Sequence, residues 1–181
     1  MSYKREFIDK VRNREYLPNF EKPGFLPELE KAAGDAMLHR NIYGYLSAVL
    51  IYHQMKEEIL KALFKKAQFY IRMYLFPEEA VFSEENYSML DYVVNDTYVA
   101  PDFKKRHEIL ELSKELDCVK ERAVYALSLR SGVNEIENMA VKARGLSEEI
   151  FTAFSDSNLW FYSRFREYEQ SSLRNWLENF I

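Results

Sequence analysis

Few residues in this 181-residue chain could do chemistry, and they fall in three places. In "NEIENMAVKARG", residues 134–145, Glu137, Asn138 and Lys142 share one short helical stretch, with the two charges five positions apart. At 3.6 residues per turn, that spacing is about 140° around the axis, so Glu137 and Lys142 need not meet. His53 and Glu57 stand at i and i+4, on one helical face, and mark a second candidate polar site. A single such pair supplies two metal ligands at most, and His53 falls on an apolar stripe, so a buried structural histidine outweighs a metal ligand and no metal is assigned. The lone Cys118 has acidic neighbours in Glu115, Asp117 and Glu121, which raise rather than lower a thiol pKa. It reads as a passive core or boundary residue.

Other chemistries are missing from the sequence. Glu-x-x-His, which a di-iron bundle needs on two helices, does not occur: Ala36, Leu50 and Lys104 stand three residues before His39, His53 and His107. There is no Gly-rich phosphate loop and no nucleophile elbow. Two basic clusters, "KALFKK" at 61–66 and "KKRH" at 104–107, have the charge to attract nucleic acid, and the first has Phe64, Phe69 and Tyr70 around it for stacking. The solvated face of an amphipathic helix has the same composition and is the preferred reading. With a net charge of −4, RNA gains nothing from the chain as a whole.

The elements that must position these residues are helices. Residues 3–16 permit a short helix, and Pro18, Pro23, Gly24 and Pro27 then interrupt regular structure, which sets residues 1–26 apart as an arm and linker before a single domain at 27–181. Pro27 suits a first helical turn, and the helix it opens reaches a soft spot at Asn41 to Gly44. Residues 45–76 contain no Gly or Pro, and Leu46, Val49, Leu50, His53, Leu60, Phe64 and Ile71 mark one face of a long helix. Its first half is apolar nearly all round and belongs at the centre of a bundle. Glu57 and Lys61 form an i, i+4 pair. Residues 77–103 are mixed, with a plausible cap at Ser83. From Lys104, Ile109, Leu112, Leu116, Val119, Ala123 and Leu127 define a helix of about seven turns.

"RSG" at 130–132 ends it. Val133, Ile136, Ala140 and Ala143 form the next stripe, which is expected to stop at Arg144-Gly145, with Ser147 opening a final helix. Period-two alternation is absent, so the fold class is all-α: an antiparallel bundle of about five main helices with an N-terminal helical arm. Hydrophobic residues at 48% fill such a core, one cysteine rules out an internal disulfide, and no apolar run approaches the ~20 residues of a membrane span. The opening residues lack the apolar core of a secretory signal. The expectation is a cytoplasmic protein with no cofactor.

Three segments resemble the HEPN family of helical-bundle domains, found in bacterial toxin–antitoxin and other RNA-cutting defence systems. "YGYLSAVLIYHQMKEEILKALF" is similar to the family's long early helix through Tyr45, Ala48, Glu58, Leu60, Lys61 and Ala62, with Glu57 an alternative for the acidic place. "FKKRHEILELSKEL" is similar to the helix before the motif, and "VNEIENMAVKARGLSEEIFTAFSDSNLWFY" to the motif helix, its glycine stop and the final long helix. Active members place an Arg, often followed by Asn, four to six residues before a His. The resemblance puts Glu137 at the arginine, keeps Asn138, and puts Lys142 at the histidine, and none of His39, His53 and His107 has an arginine at that distance upstream. A carboxylate repels the phosphate, and a lysine near pKa ~10.4 cannot exchange a proton readily at neutral pH.

The resemblance therefore implies a non-catalytic protein that binds protein or RNA and forms a homodimer through its motif helices. Two alternatives stand beside it: a metal-independent ribonuclease with a non-standard motif, and an unrelated helical interaction module. The aromatic C-terminal segment, with Trp160, Phe161, Tyr162, Phe165, Tyr168, Trp176 and Phe180, offers more ring surface than one stripe buries; core packing against the N-terminal arm is the commoner reason for such a surplus, and a protein partner or dimer interface is the alternative.

Overall fold

The computed structural model describes the backbone of residues 23–74, 105–129 and 132–178, and their side chains except at 64, 68–74 and 168–178. Within these residues every regular element is a helix: α1 (Leu26–Leu38), α2 (Ile42–Tyr74), α3 (Arg106–Ser128) and α4 (Val133–Glu178). The expected N-terminal arm and the expectations for 77–103 lie outside them.

Chain direction follows from side-chain pairs. Tyr45 meets Glu137 and Lys66 lies against Phe154, so α2 and α4 run parallel. His53 meets Lys120 while Lys56 meets Asp117, so α2 and α3 run antiparallel. A short connection at 39–41 closes the α1–α2 hairpin, and α4 begins at Val133, soon after α3 ends at Ser128. The result is an up–down arrangement in which α2 packs against all three other helices.

Local chemistry sets the ends of these elements. Pro27 sits in the first turn of α1, where its missing N–H is harmless. Asn41 caps α2 by accepting the Gly44 N–H at 2.8 Å, so the soft spot is a tight connection at 39–41 and Gly44 is already helical. Arg40 takes φ 47° in that connection. Gly44 is required for a further reason: a Cβ there would clash with the Ala36 carbonyl oxygen at the end of α1.

Three expectations need correction. The first is the helix stop at Gly145, for α4 runs unbroken from Val133 to Glu178 and makes one helix of the two expected. An interior glycine costs about 1 kcal/mol relative to alanine. Ala140, Ala143, Leu146, Ile150 and Phe154, all buried around it, offset that cost. Ser147, expected as a cap, is buried mid-helix, and in the polar "SDSN" stretch Ser155 and Ser157 turn their hydroxyls back on the carbonyls of Phe151 and Ala153.

The second correction is the buried face of α2. Tyr45, Ala48, Val49, Tyr52, Met55, Lys56, Ile59, Leu60, Leu63, Lys66 and Ala67 are buried, whereas Leu50 is 44% exposed and His53 lies at the edge. Of the expected face, Val49 and Leu60 are buried and Leu46 is partly buried against the core, while Phe64 and Ile71 lie outside the described side chains. Thirdly, Cys118 is exposed on α3 rather than in the core or at its boundary.

Two glycine substitutions should have opposite signs. Gly44→Ala is expected to lose about 2 kcal/mol, because the clash is with backbone that cannot swing aside. Gly145→Ala is expected to gain about 0.5–1 kcal/mol, since an added Cβ meets nothing within 4 Å and the helix loses no unusual backbone angle. Urea denaturation of the two variants checks both.

Candidate functional site

The residues flagged in the sequence do not converge on one another. Glu137 leans onto α2, where the buried Tyr45 hydroxyl donates to its Oε1 at 2.8 Å. The phenol pKa is raised, first by that hydrogen bond and then by burial. Lys142 faces the other way, its Nζ 2.6 Å from Glu115 Oε1 on α3, with both side chains about half exposed. Asn138 between them is exposed. Within one chain the three positions therefore line no common cleft.

The second flagged pair lies in a dense polar cluster between α2 and α3. His53 Nε2 is 2.9 Å from Asp117 Oδ1 and 3.3 Å from the Nζ of both Lys56 and Lys120. Glu57 Oε1 is farther from the ring, at 3.8 Å. At the centre lies Lys56, only 2% exposed, whose ammonium reaches Asp117 Oδ1 at 2.5 Å and Glu57 Oε1 at 2.8 Å. An ammonium has three protons to donate. Asp117 and Glu57 each accept from it, and His53 supplies a third acceptor in the tautomer that leaves Nε2 unprotonated, so a side chain that would be costly to bury alone is well matched.

The same arrangement bears on metal binding. Ligand atoms of His53, Glu57 and Asp117 lie within 4.8 Å of one another, close enough to hold one ion. Lys56 already places a cation among them. A divalent ion would have to displace that ammonium, and the two cannot share the site without strong repulsion.

For acid–base work the cluster is better suited. A single Nε2 cannot both donate to Asp117 and accept from a lysine, so the proton position on the ring decides which neighbour it engages. Burial holds the imidazole pKa below its usual value, with Lys56 and Lys120 adding to the effect and Asp117 opposing it. His53 is thus neutral near pH 7. Because the folded pKa lies below the unfolded 6.5, the unfolded chain binds more protons between those two values, and stability falls as pH drops through that window. Denaturation between pH 7 and 5 should show a decline from this source, flattened in His53→Gln.

No family model, curated protein or solved structure matches the chain. The site has to be understood from its own geometry.

Sequence reasoning found His53 and Glu57 but missed Lys56, Asp117 and Lys120. The one signal in the sequence was Lys56 itself, a charged residue three positions from His53 in the middle of an apolar helix. The expected Glu57–Lys61 pair does not form: Glu57 turns to Lys56, and Lys61 pairs with Glu58 at 2.7 Å. The first basic cluster is also broken up, since Lys66 is buried while Lys65 stays exposed. In the second, Lys105 pairs with Glu108 at 2.5 Å.

Proposed function

We propose that this is a non-catalytic, HEPN-like helical protein that acts as a homodimer by binding a protein or RNA partner. The observation that carries the reading is the engagement of Glu137 and Lys142 in separate bonds to Tyr45 and Glu115. Neither is poised to take the part of the arginine or histidine whose places the resemblance gives them. Pairing through the motif helix draws support from its outer face, where Val133 and Val141 are 38% and 55% exposed. Phe161 and Phe165 of the aromatic segment turn inward, and Leu159 and Tyr162 stay exposed for a protein partner.

Light scattering of the purified chain tests the pairing. A dimer that Val141→Glu converts to a monomer is the expected result, and a wild-type monomer at tens of micromolar would overturn it.

A second reading, a ribonuclease with a non-standard motif, has one observation in its favour: a neutral His53 lies beside two lysines. In that arrangement the imidazole is a proton acceptor and Lys120 a phosphate contact. Incubation with single-stranded and structured RNA separates the two readings. Cleavage that disappears in His53→Ala supports the enzyme, and intact RNA supports binding alone.

A further inference from the structure

A groove of about 530 Å³ opens between α1 and α4, with residues of α2 as its floor. Leu26, Met55 and Phe151 give it an apolar lining. Its size is that of a small-molecule pocket, and its composition, mostly apolar with a few polar groups, is what such pockets share.

One polar group in the groove lacks a good partner in the fold. Tyr52 is only 4% exposed, yet the one acceptor its hydroxyl reaches among the described residues is the Met37 thioether sulfur at 4.0 Å. Sulfur is a weak acceptor, so most of the donor capacity of that phenol is unused. Ser147, also 4% exposed, lines the same groove. A buried donor left unmatched costs about 1–3 kcal/mol, and a ligand acceptor at the Tyr52 hydroxyl would recover that energy.

Charge decides the ligand class. The rim carries Arg144 and Lys31 against Glu30 and Glu148, and Arg144 Nε is bonded to Glu148 at 2.9 Å. An anion entering would meet two carboxylates, and a cation would meet two basic groups. We propose that the groove binds an uncharged, largely apolar small molecule carrying one hydrogen-bond acceptor, with its body on Leu26, Met55 and Phe151 and its acceptor at the Tyr52 hydroxyl. Burial also raises the phenol pKa, which keeps that hydroxyl protonated as a donor.

Gly34 makes the site testable. It lines the groove, and a Cβ added there meets nothing within 4 Å, so a larger side chain can occupy the groove without disturbing α1. The probe is prodan, a neutral naphthalene bearing one ketone, followed by its fluorescence. Wild-type protein is expected to bind it with micromolar affinity, Tyr52→Phe to bind it five- to tenfold more weakly, and Gly34→Leu to lose at least tenfold, with circular dichroism unchanged in both variants. Prodan that fails to bind, or binds Gly34→Leu as well as wild type, overturns the site. Equal affinity in Tyr52→Phe overturns the role of the hydroxyl, and tighter binding of an anionic naphthalene sulfonate overturns the neutral ligand class.

Discussion

Replacing Lys66 with methionine is expected to stabilise the fold at pH 7 by about 2–3 kcal/mol, an unusual sign for a substitution in a core. The lysine is 2% exposed, and its ammonium has no hydrogen-bond partner among the described residues. Its favourable contact is the face of the buried Phe154 ring, 4.7 Å away. That cation–π contact contributes about 1–2 kcal/mol in a desolvated site, less than burying the charge costs. Burial accordingly pushes the Lys66 pKa down to about 8.

The pH dependence gives this prediction its signature. Below pH 8 the lysine is charged in both folded and unfolded chains, and the full penalty applies. Above pH 8 the folded chain releases its proton while the unfolded chain holds one up to about 10.4. The unfolded state then binds more protons, so wild-type stability rises with pH in that window. At about 1.4 kcal/mol per pKa unit, the depression corresponds to an upper limit of about 3 kcal/mol. Urea titrations of wild type and Lys66→Met at pH 7 and 9.5 should show the gap between them closing at the higher pH. A constant gap would mean that the variant acts by packing alone.

Lys66 also shows why the sequence misplaced the buried face of α2. That face includes Lys56 and Lys66, two charges that break its apolar pattern. A stripe through Leu46, Leu50 and His53 looks cleaner and faces partly outward. The long helix itself was legible from its lack of Gly and Pro, and Pro27 marked the start of α1. Gly145 misled because a glycine ends a helix only where the chain must turn, and here α3 and α2 keep burying the residues on either side of it. Asp117 was visible only as a neighbour of Cys118. Its pairing with Lys56 depends on the register between α2 and α3, which no local pattern encodes.

That register underlies the second large effect. Asp117→Ala is expected to cost about 3 kcal/mol, because it leaves the Lys56 ammonium buried with Glu57 and a neutral ring as its remaining partners. Complete loss of the partner of a fully buried ion costs about 3–5 kcal/mol, and the 30% exposure of Asp117 together with the surviving Glu57 contact places this case at the low end. Lys56→Met should cost far less, within about 1 kcal/mol, since it puts an apolar chain of similar length into a buried position and leaves the acids in contact with water.

The two variants should also differ toward zinc. With the ammonium gone, His53, Glu57 and Asp117 keep ligand atoms within 4.8 Å of one another around an open position, and one of the charges holding the His53 pKa down has been removed. Zn²⁺ is therefore expected to raise the melting temperature of Lys56→Met by several degrees through preferential binding to the folded state. It should leave wild type and Asp117→Ala unchanged. If wild type responds as strongly as Lys56→Met, the ammonium does not occupy the cation position of this cluster, and the lysine-centred account of the α2–α3 interface fails with it.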